Sequence, residues 1–218
     1  MSEKICYIVG AGDFSGLFLR PHAGDYLMAA DGGYVYLQKE GLEPDVVLGD
    51  FDSLKQKPKH KNIIELPAEK DDTDMLYALR LGLDKGYRTF HLYGGMGGRF
   101  EHTLANLQSL SFLAEHGAVG FLFGQTEVTA VIGDGIARFD ENAKGYFSLF
   151  SLSEHCTGVS ISGLKYELAD AMLSHTFPIG VSNEFIGEKS EIRIREGIGA
   201  MVFAQENLSC LLEISSRP

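Results

Sequence analysis

Tryptophan is absent from this chain of 218 residues, and cysteine and proline are scarce, at three and six. Cys6, Cys156 and Cys210 are widely spaced, odd in number and part of no CxxC or Cys/His pairing. That excludes a disulfide framework or a zinc site and points to reduced thiols in a cytosol. Positive charge is also in deficit. Thirty acids against nineteen bases leave a formal charge of −11, which repels nucleic acid and anionic lipid, so neither is an expected partner and any polyanion-binding surface must be local. No apolar run approaches the roughly 18 residues of a membrane span, and Met1-Ser2-Glu3-Lys4 leads into a strand rather than a signal segment. No Gly-Lys-Ser/Thr occurs anywhere, which excludes a Walker A loop. What remains is a cytoplasmic, soluble chain, 44% hydrophobic and long enough for one large or two small cores.

The first half alternates apolar β-rich runs with helical patterns. Ile5–Val9, Leu27–Ala30, Val46–Leu48, Asn62–Leu66, Thr89–Tyr93 and Val119–Phe123 predict buried strands. Gly33–Glu40, Asp74–Lys85 and His102–His116 carry apolar residues at helical spacing. Such alternation predicts an α/β domain, a mostly parallel sheet with flanking helices, over residues 1–132. Beyond Gly133 helical periodicity fades. Short runs at Tyr146–Leu152, Val159–Ser162, Leu164–Leu168, Glu191–Arg195, Met201–Ala204 and Ser209–Ile214, punctuated by glycine, predict an all-β sandwich over 136–218. The boundary is expected at Ile132-Gly133-Asp134-Gly135.

Four acidic segments stand where apolar runs give way to turns or helix starts: Ala30-Asp31-Gly32-Gly33, Gly49-Asp50-Phe51-Asp52-Ser53, Lys70-Asp71-Asp72-Thr73-Asp74, and Gly94–His102. Asp50 and Asp52 share a side if the strand's extended conformation persists through them, so both carboxylates reach one hard cation. Asp72 or Thr73 can cap the helix that follows, but three aspartates in four positions exceed what a cap needs, leaving Asp74 as a third metal ligand. Gly94–His102 offers free backbone N–H groups at a helix N-terminus, with Arg99 as a planar donor fork for phosphate. Glu101 and His102 can equally cap that helix. Carboxylates followed by an arginine in a glycine loop suggest a Mg²⁺–polyphosphate site. Gly10-Ala11-Gly12 after the first strand imitates a dinucleotide fingerprint, with Asp31 downstream. However, the third glycine is one place late and Pro21 allows only a short helix, so a glycine turn near a nucleotide substrate is the better reading. In the second half, Tyr166 can stack on a flat cationic ring, while Ser182 and Asn183 stand in an exposed turn.

Taken in order, ADGG, PDVVLGDFDS, DDTD, GGMGGRFEHTLANL, SGLKYEL and VSNEF, spanning 30–185, resemble the thiamine pyrophosphokinases (thiamine diphosphokinases). The resemblance implies transfer of the terminal diphosphate of ATP to the hydroxyethyl group of thiamine, giving thiamine diphosphate and AMP, with Mg²⁺. It further implies an α/β nucleotide domain joined to a β-sandwich, and a homodimer with composite active sites. By position, Asp50, Asp52 and Asp74 match the family's magnesium-binding aspartates. Asp31, Gly32, Thr73 and His102 fall in the segments lining the ATP and metal site, and Arg99 matches the arginine on phosphate. Tyr166, Ser182 and Asn183 match the segments on thiamine. Glu101 stands where many members carry Asp, and Tyr166 where animal members carry tryptophan.

These residues allow in-line attack of the thiamine hydroxyl on the β-phosphorus, with Asp71 orienting or deprotonating the hydroxyl and Arg99 taking charge at the transferred group. Two rivals share parts of the pattern: a Mg²⁺-dependent nucleotide or phosphate hydrolase, and a non-enzymatic thiamine- or nucleotide-binding module. The first would release AMP without an acceptor; the second has little use for three clustered carboxylates.

Overall fold

The computed structural model describes residues 4–52, 57–69 and 71–217; Met1, Ser2, Glu3, Ser53 and Lys70 of the segments read above lie outside them. The chain divides into two compact units, Met1–Ser109 with Leu122–Gln125, and Leu110–Phe121 with Thr126–Pro218. The division thus passes through a helix at Ser109 and returns ahead of the Ile132–Gly135 turn.

The first elements are β1 (Ile5–Val9), β2 (Tyr26–Ala30), α1 (Gly33–Lys39), β3 (Val46–Gly49), β4 (Ile63–Glu65), α2 (Asp74–Asp84), β5 (Thr89–Tyr93), α3 (Phe100–Glu115) and β6 (Val119–Phe123). In the first unit β5, β1, β2, β3 and β4 pair in that order, every pair parallel. All but the first residue of β1, β2 and β5 is buried, as expected of strands covered on both faces and written as continuous apolar runs. The helix α2 buries Met75, Ala78, Leu79 and Gly82, a stripe at i, i+3, i+4 and i+7 that fixes its rotation.

The second unit contains β7 (Glu127–Gly133), β8 (Ile136–Phe139), β9 (Tyr146–Ser151), β10 (His155–Ser162), β11 (Leu168–Ser174), β12 (Asn183–Glu184), β13 (Ser190–Arg193), β14 (Ile198–Ala204), a 3₁₀ turn at Gln205–Cys210 and β15 (Leu211–Ser215). Two antiparallel arrays result, β12-β9-β14-β7 and β11-β10-β13-β8-β15. Phe139 of the second array meets Phe147 and Phe203 of the first edge-on, with ring centroids 6.2 and 5.1 Å apart, and Phe185 completes the cluster at 5.1 Å. Such pairs add to area burial because ring edges meet ring faces. Asn62–Leu66, expected as a buried strand, pairs only as β4 and is exposed at Ile63 and Glu65, being the last strand of its sheet. Two expected strands of the second unit differ. Leu164–Leu168 makes only an isolated bridge, Leu164 to Phe185, and pairing resumes at Leu168. Ser209–Ile214 starts inside the 3₁₀ turn. The strands β7 and β8 are not marked by any of the runs read above. Among the described residues no helix is long and apolar enough to cross a membrane.

His91 on β5 lies buried between Tyr7 and Phe123, ring centroids 5.1 and 5.2 Å away. Burial pulls its imidazole down to about 4, the Asp25 carboxylate opposing only in part. The unfolded chain therefore takes up a proton near pH 6.5 that the folded chain refuses until about 4. Stability is full above pH 6.5, falls as pH drops through this window, and levels off below it. Urea midpoints measured from pH 7 to 4 should show that decline in the native protein and a shallower one in His91→Leu.

Candidate active site

The site is assembled at the carboxyl ends of the parallel strands, where open α/β sheets bind ligands. Strand order runs outward from β1 in two directions, to β2-β3-β4 and to β5, so the loops after β1 and β5 leave the sheet side by side. There the backbone interlocks: Gly10 N donates to Tyr93 O at 2.8 Å, Gly12 N to Gly94 O at 2.7 Å, and Asp13 N to Met96 O at 2.8 Å. A Cβ on Gly94, whose φ is +60°, would stand 2.4 Å from the carbonyl oxygen of Gly10. No other residue permits this approach.

A cavity of about 520 Å³ opens over this crevice. Gly10, Ala11 and Gly12 form one wall, and Gly94, Gly95, Gly97, Gly98 and Arg99 another. Asp31 follows β2, Asp50 and Asp52 follow β3, and Asp72, Thr73 and Asp74 lead into α2; all six line the same cavity, with His102 and Asn106 of α3. Five carboxylates therefore face one guanidinium across a space that would admit a nucleotide.

Local chemistry explains each placement. Thr73 is the cap of α2, its Oγ1 accepting from Leu76 N at 3.1 Å, worth about 1 kcal/mol. Asp72 is thus released from capping and accepts from Arg80 Nη1 instead. Asp74, in the first turn, is half-buried toward the cavity. Asp31 N donates to Leu48 O at 2.8 Å, tying the end of β2 to that of β3. The expected extended path through Asp50 and Asp52 is not followed. Phe51 adopts φ of 59° and buries its ring, so the chain turns and Asp50 Oδ1 accepts from Asp52 N at 3.1 Å. Both carboxylates reach the cavity by a turn, not by strand alternation.

Arg99 is exposed; its Nη2 contacts His102 Nε2, and its Nε lies 3.6 Å from Glu101 Oε1. Asn106 is buried and donates from Nδ2 to Gly95 O at 2.6 Å, pinning the glycine loop to α3. No motif singled out Asn106, but it stands four residues after His102 on the same helical face. Two expected residues fall outside the lining: Gly32, the residue before α1, and Asp71, which is exposed one place ahead of Asp72.

In the second unit Tyr166 is exposed. Its backbone is clasped by Asn183: Oδ1 accepts from Tyr166 N at 2.9 Å and Nδ2 donates to Tyr166 O at 2.7 Å. Asn183 is buried and serves as a mount for Tyr166. Lys165 Nζ stands 5.6 Å from the Tyr166 ring centre, so that face already attracts a cation. Ser182 has φ of 60° and donates its N–H to Ser148 Oγ at 3.1 Å.

Among the described residues no three Asp, Glu, His or Cys side chains are grouped closely enough to hold a metal ion by themselves. The donors are nonetheless hard oxygens, as Mg²⁺ requires, and Mg²⁺ is ordinarily held by one or two carboxylates plus substrate phosphates rather than by an all-protein cage. The residues fit that mode.

Residues 22–119 match the family model described as thiamin pyrophosphokinase, catalytic domain, and residues 137–198 match thiamin pyrophosphokinase, vitamin B1 binding domain. Together they cover most of the chain, in the expected order. The chain belongs to the thiamin pyrophosphokinase family. Among curated relatives, the thiamine pyrophosphokinase of Bacillus subtilis is 28% identical over 183 residues, 80% of this chain and 85% of that protein. The crystal structure of thiamine pyrophosphokinase from Bacillus subtilis superposes with a TM-score of 0.80 at 25% identity, over 92% of this chain and 99% of that one. That of Geobacillus thermodenitrificans gives 0.77 at 28%, over 95% and 100%. The cavity lies within the stretch matched to the catalytic model except for Gly10, Ala11 and Gly12, and Tyr166, Ser182 and Asn183 lie within the vitamin B1 binding stretch.

Gly94→Ala should cost about 1–3 kcal/mol of stability, because a strained φ and a backbone clash coincide. Gly98→Ala has positive φ but nothing within 4 Å of its added Cβ and should cost less. Urea unfolding of the two variants checks the difference.

Proposed function

We propose that this chain is a thiamine diphosphokinase, transferring diphosphate from ATP to thiamine with release of AMP, and that the cavity of the first unit is where the nucleotide reacts. The observation that carries the reading is the convergence of five aspartates and one arginine on one glycine-walled cavity. Such a surface repels a polyphosphate unless cations intervene. Mg²⁺ would be held by one or two carboxylates at a time from among Asp50, Asp52 and Asp74, together with phosphate oxygens, and when bound it supplies charge neutralisation and orientation. Gly10, Gly12, Gly94 and Gly98 let the triphosphate approach the backbone, and Arg99 offers a fork to the transferred group as charge shifts there. Asp31, Thr73 and His102 border the nucleotide.

The bond that forms joins the thiamine hydroxyl oxygen to the β-phosphorus; the one that breaks links that phosphorus to the α-phosphate oxygen, which leaves on AMP. Alignment and charge neutralisation supply most of the catalysis in such reactions, so positioning residues suffice. Thiamine's cationic thiazolium suits an acidic protein and the face of Tyr166, with Ser182 beside it. A homodimer with composite sites accords with the exposed large apolar residues that the second unit carries: Tyr146, Phe177, Ile179, Val181 and Ile186. Contiguous exposed apolar patches mark interaction surfaces.

Asp74→Asn should lower turnover by about 10²-fold or more while leaving the thermal midpoint near that of the native protein. Native-like AMP release from this variant overturns its role. A coupled AMP assay with Mg-ATP decides the reaction class. AMP should appear only when thiamine is present, and release at the same rate without thiamine would make the protein a hydrolase.

A further inference from the structure

Three of the chain's eight arginines, Arg193, Arg195 and Arg217, line a second cavity, of about 310 Å³, that lies wholly within the second unit. In a chain carrying −11 this concentration of guanidinium is unexpected, and the strand register accounts for it. Ser160 of β10 pairs with Arg193 of β13, Arg193 pairs with Ile136 of β8, and Ile136 pairs with Ser215 of β15. Directly paired residues project to one face of a sheet, so a single transverse row presents hydroxyl, guanidinium, methyl and hydroxyl. Arg195, two residues after Arg193, lies over Gly158, where a Cβ would stand 2.5 Å from the Arg195 Cβ and 2.8 Å from its Cζ.

The guanidiniums are incompletely matched. Arg193 uses Nε and Nη2 on Glu191, and Arg195 uses Nη1 on Asp170. Both pairs are solvent-exposed, a class worth only about 0–1 kcal/mol and readily exchanged for a better acceptor. Arg217 pairs with no carboxylate among the described residues, and its backbone N–H is fixed on Gly133 O at 2.9 Å. The Asp134 carboxylate is engaged by Gly197 N at 2.7 Å.

Backbone conformation adds an independent sign. Five non-glycine residues have positive φ among those described: Asp31, Phe51, Asp134, Asp170 and Ser182. Asp31, Phe51 and Ser182 belong to the segments already assigned to ATP, metal and thiamine. The other two, Asp134 and Asp170, both line the arginine cavity. Such conformations cost free energy and gather at ligand sites.

We infer that this arginine cavity is a second anion site, distinct from the catalytic cavity, that takes a small phosphorylated molecule. Guanidinium forks and serine hydroxyls are the donors that phosphate oxygens require, and Ile136, in the same transverse row, suits the organic part of an ester. Because it stands on residues of the second unit alone, the inference does not depend on the catalytic assignment.

The test uses the full-length protein carrying Arg99→Gln, which removes the catalytic guanidinium, in metal-free buffer. Inorganic phosphate and pyrophosphate are titrated calorimetrically against chloride of equal ionic strength. Saturable binding at one site per chain is expected, weakened about tenfold by Arg217→Gln and abolished by adding Arg193→Gln. The thermal midpoint without ligand and the circular dichroism spectrum verify that each variant folds. Should Arg217→Gln fail that check, Ser215→Ala and Arg195→Gln replace it. Absence of saturable binding at millimolar pyrophosphate, or unchanged binding in the folded arginine variants, overturns the inference.

Discussion

The contact on which the catalytic half depends is one of backbone against backbone. The loops after β1 and β5 cross within hydrogen-bonding range because Gly10 and Gly94 leave no side chain between them. This gives the crevice two glycine-rich walls whose backbone a ligand can approach closely. The other three acidic segments enter at the ends of β2 and β3 and the start of α2. Were the two loops held apart by a single methyl group, the aspartates would still gather, but over an open floor. In the proposed reaction a triphosphate would need both surfaces, one admitting it to the backbone and the other holding cations.

The acidic surface carries a cost that the protein tolerates. Five carboxylates around one cavity repel one another, offset by Arg99 in the lining and by Arg80 paired with Asp72. The absence, among the described residues, of a preassembled cage of three ligands accords with the proposed site, which the nucleotide's own oxygens would complete. A protein that held the ion too rigidly would have to surrender it with each product.

Much of this was legible in the sequence, and the exceptions share a cause. The buried strands of the first half were visible because both faces are covered, so apolar residues run without interruption. Asp50, Asp52, Asp74 and Arg99 were legible because their chemistry has few structural uses at those positions. Asn106 was not, since one asparagine on a helix looks like any other until its amide is seen on Gly95. Asp71 and Asp72 could not be separated by type, and only the cap at Thr73 decides which of them faces inward. The strands β7 and β8 were hidden by the glycine turn between them, which reads as a boundary. Leu164–Leu168 imitated a strand by alternation, whereas its pairing comes largely from a side chain, that of Asn183.

The clasp of Asn183 on Tyr166 bears on how the subsite proposed for thiamine can vary. Because one amide grips the main chain at position 166, the anchoring is indifferent to which ring is attached there. Tyrosine, tryptophan or phenylalanine would be carried on the same bracket, at the same height above the surface. Selectivity among flat cationic ligands can therefore drift through one codon without rebuilding the loop beneath it.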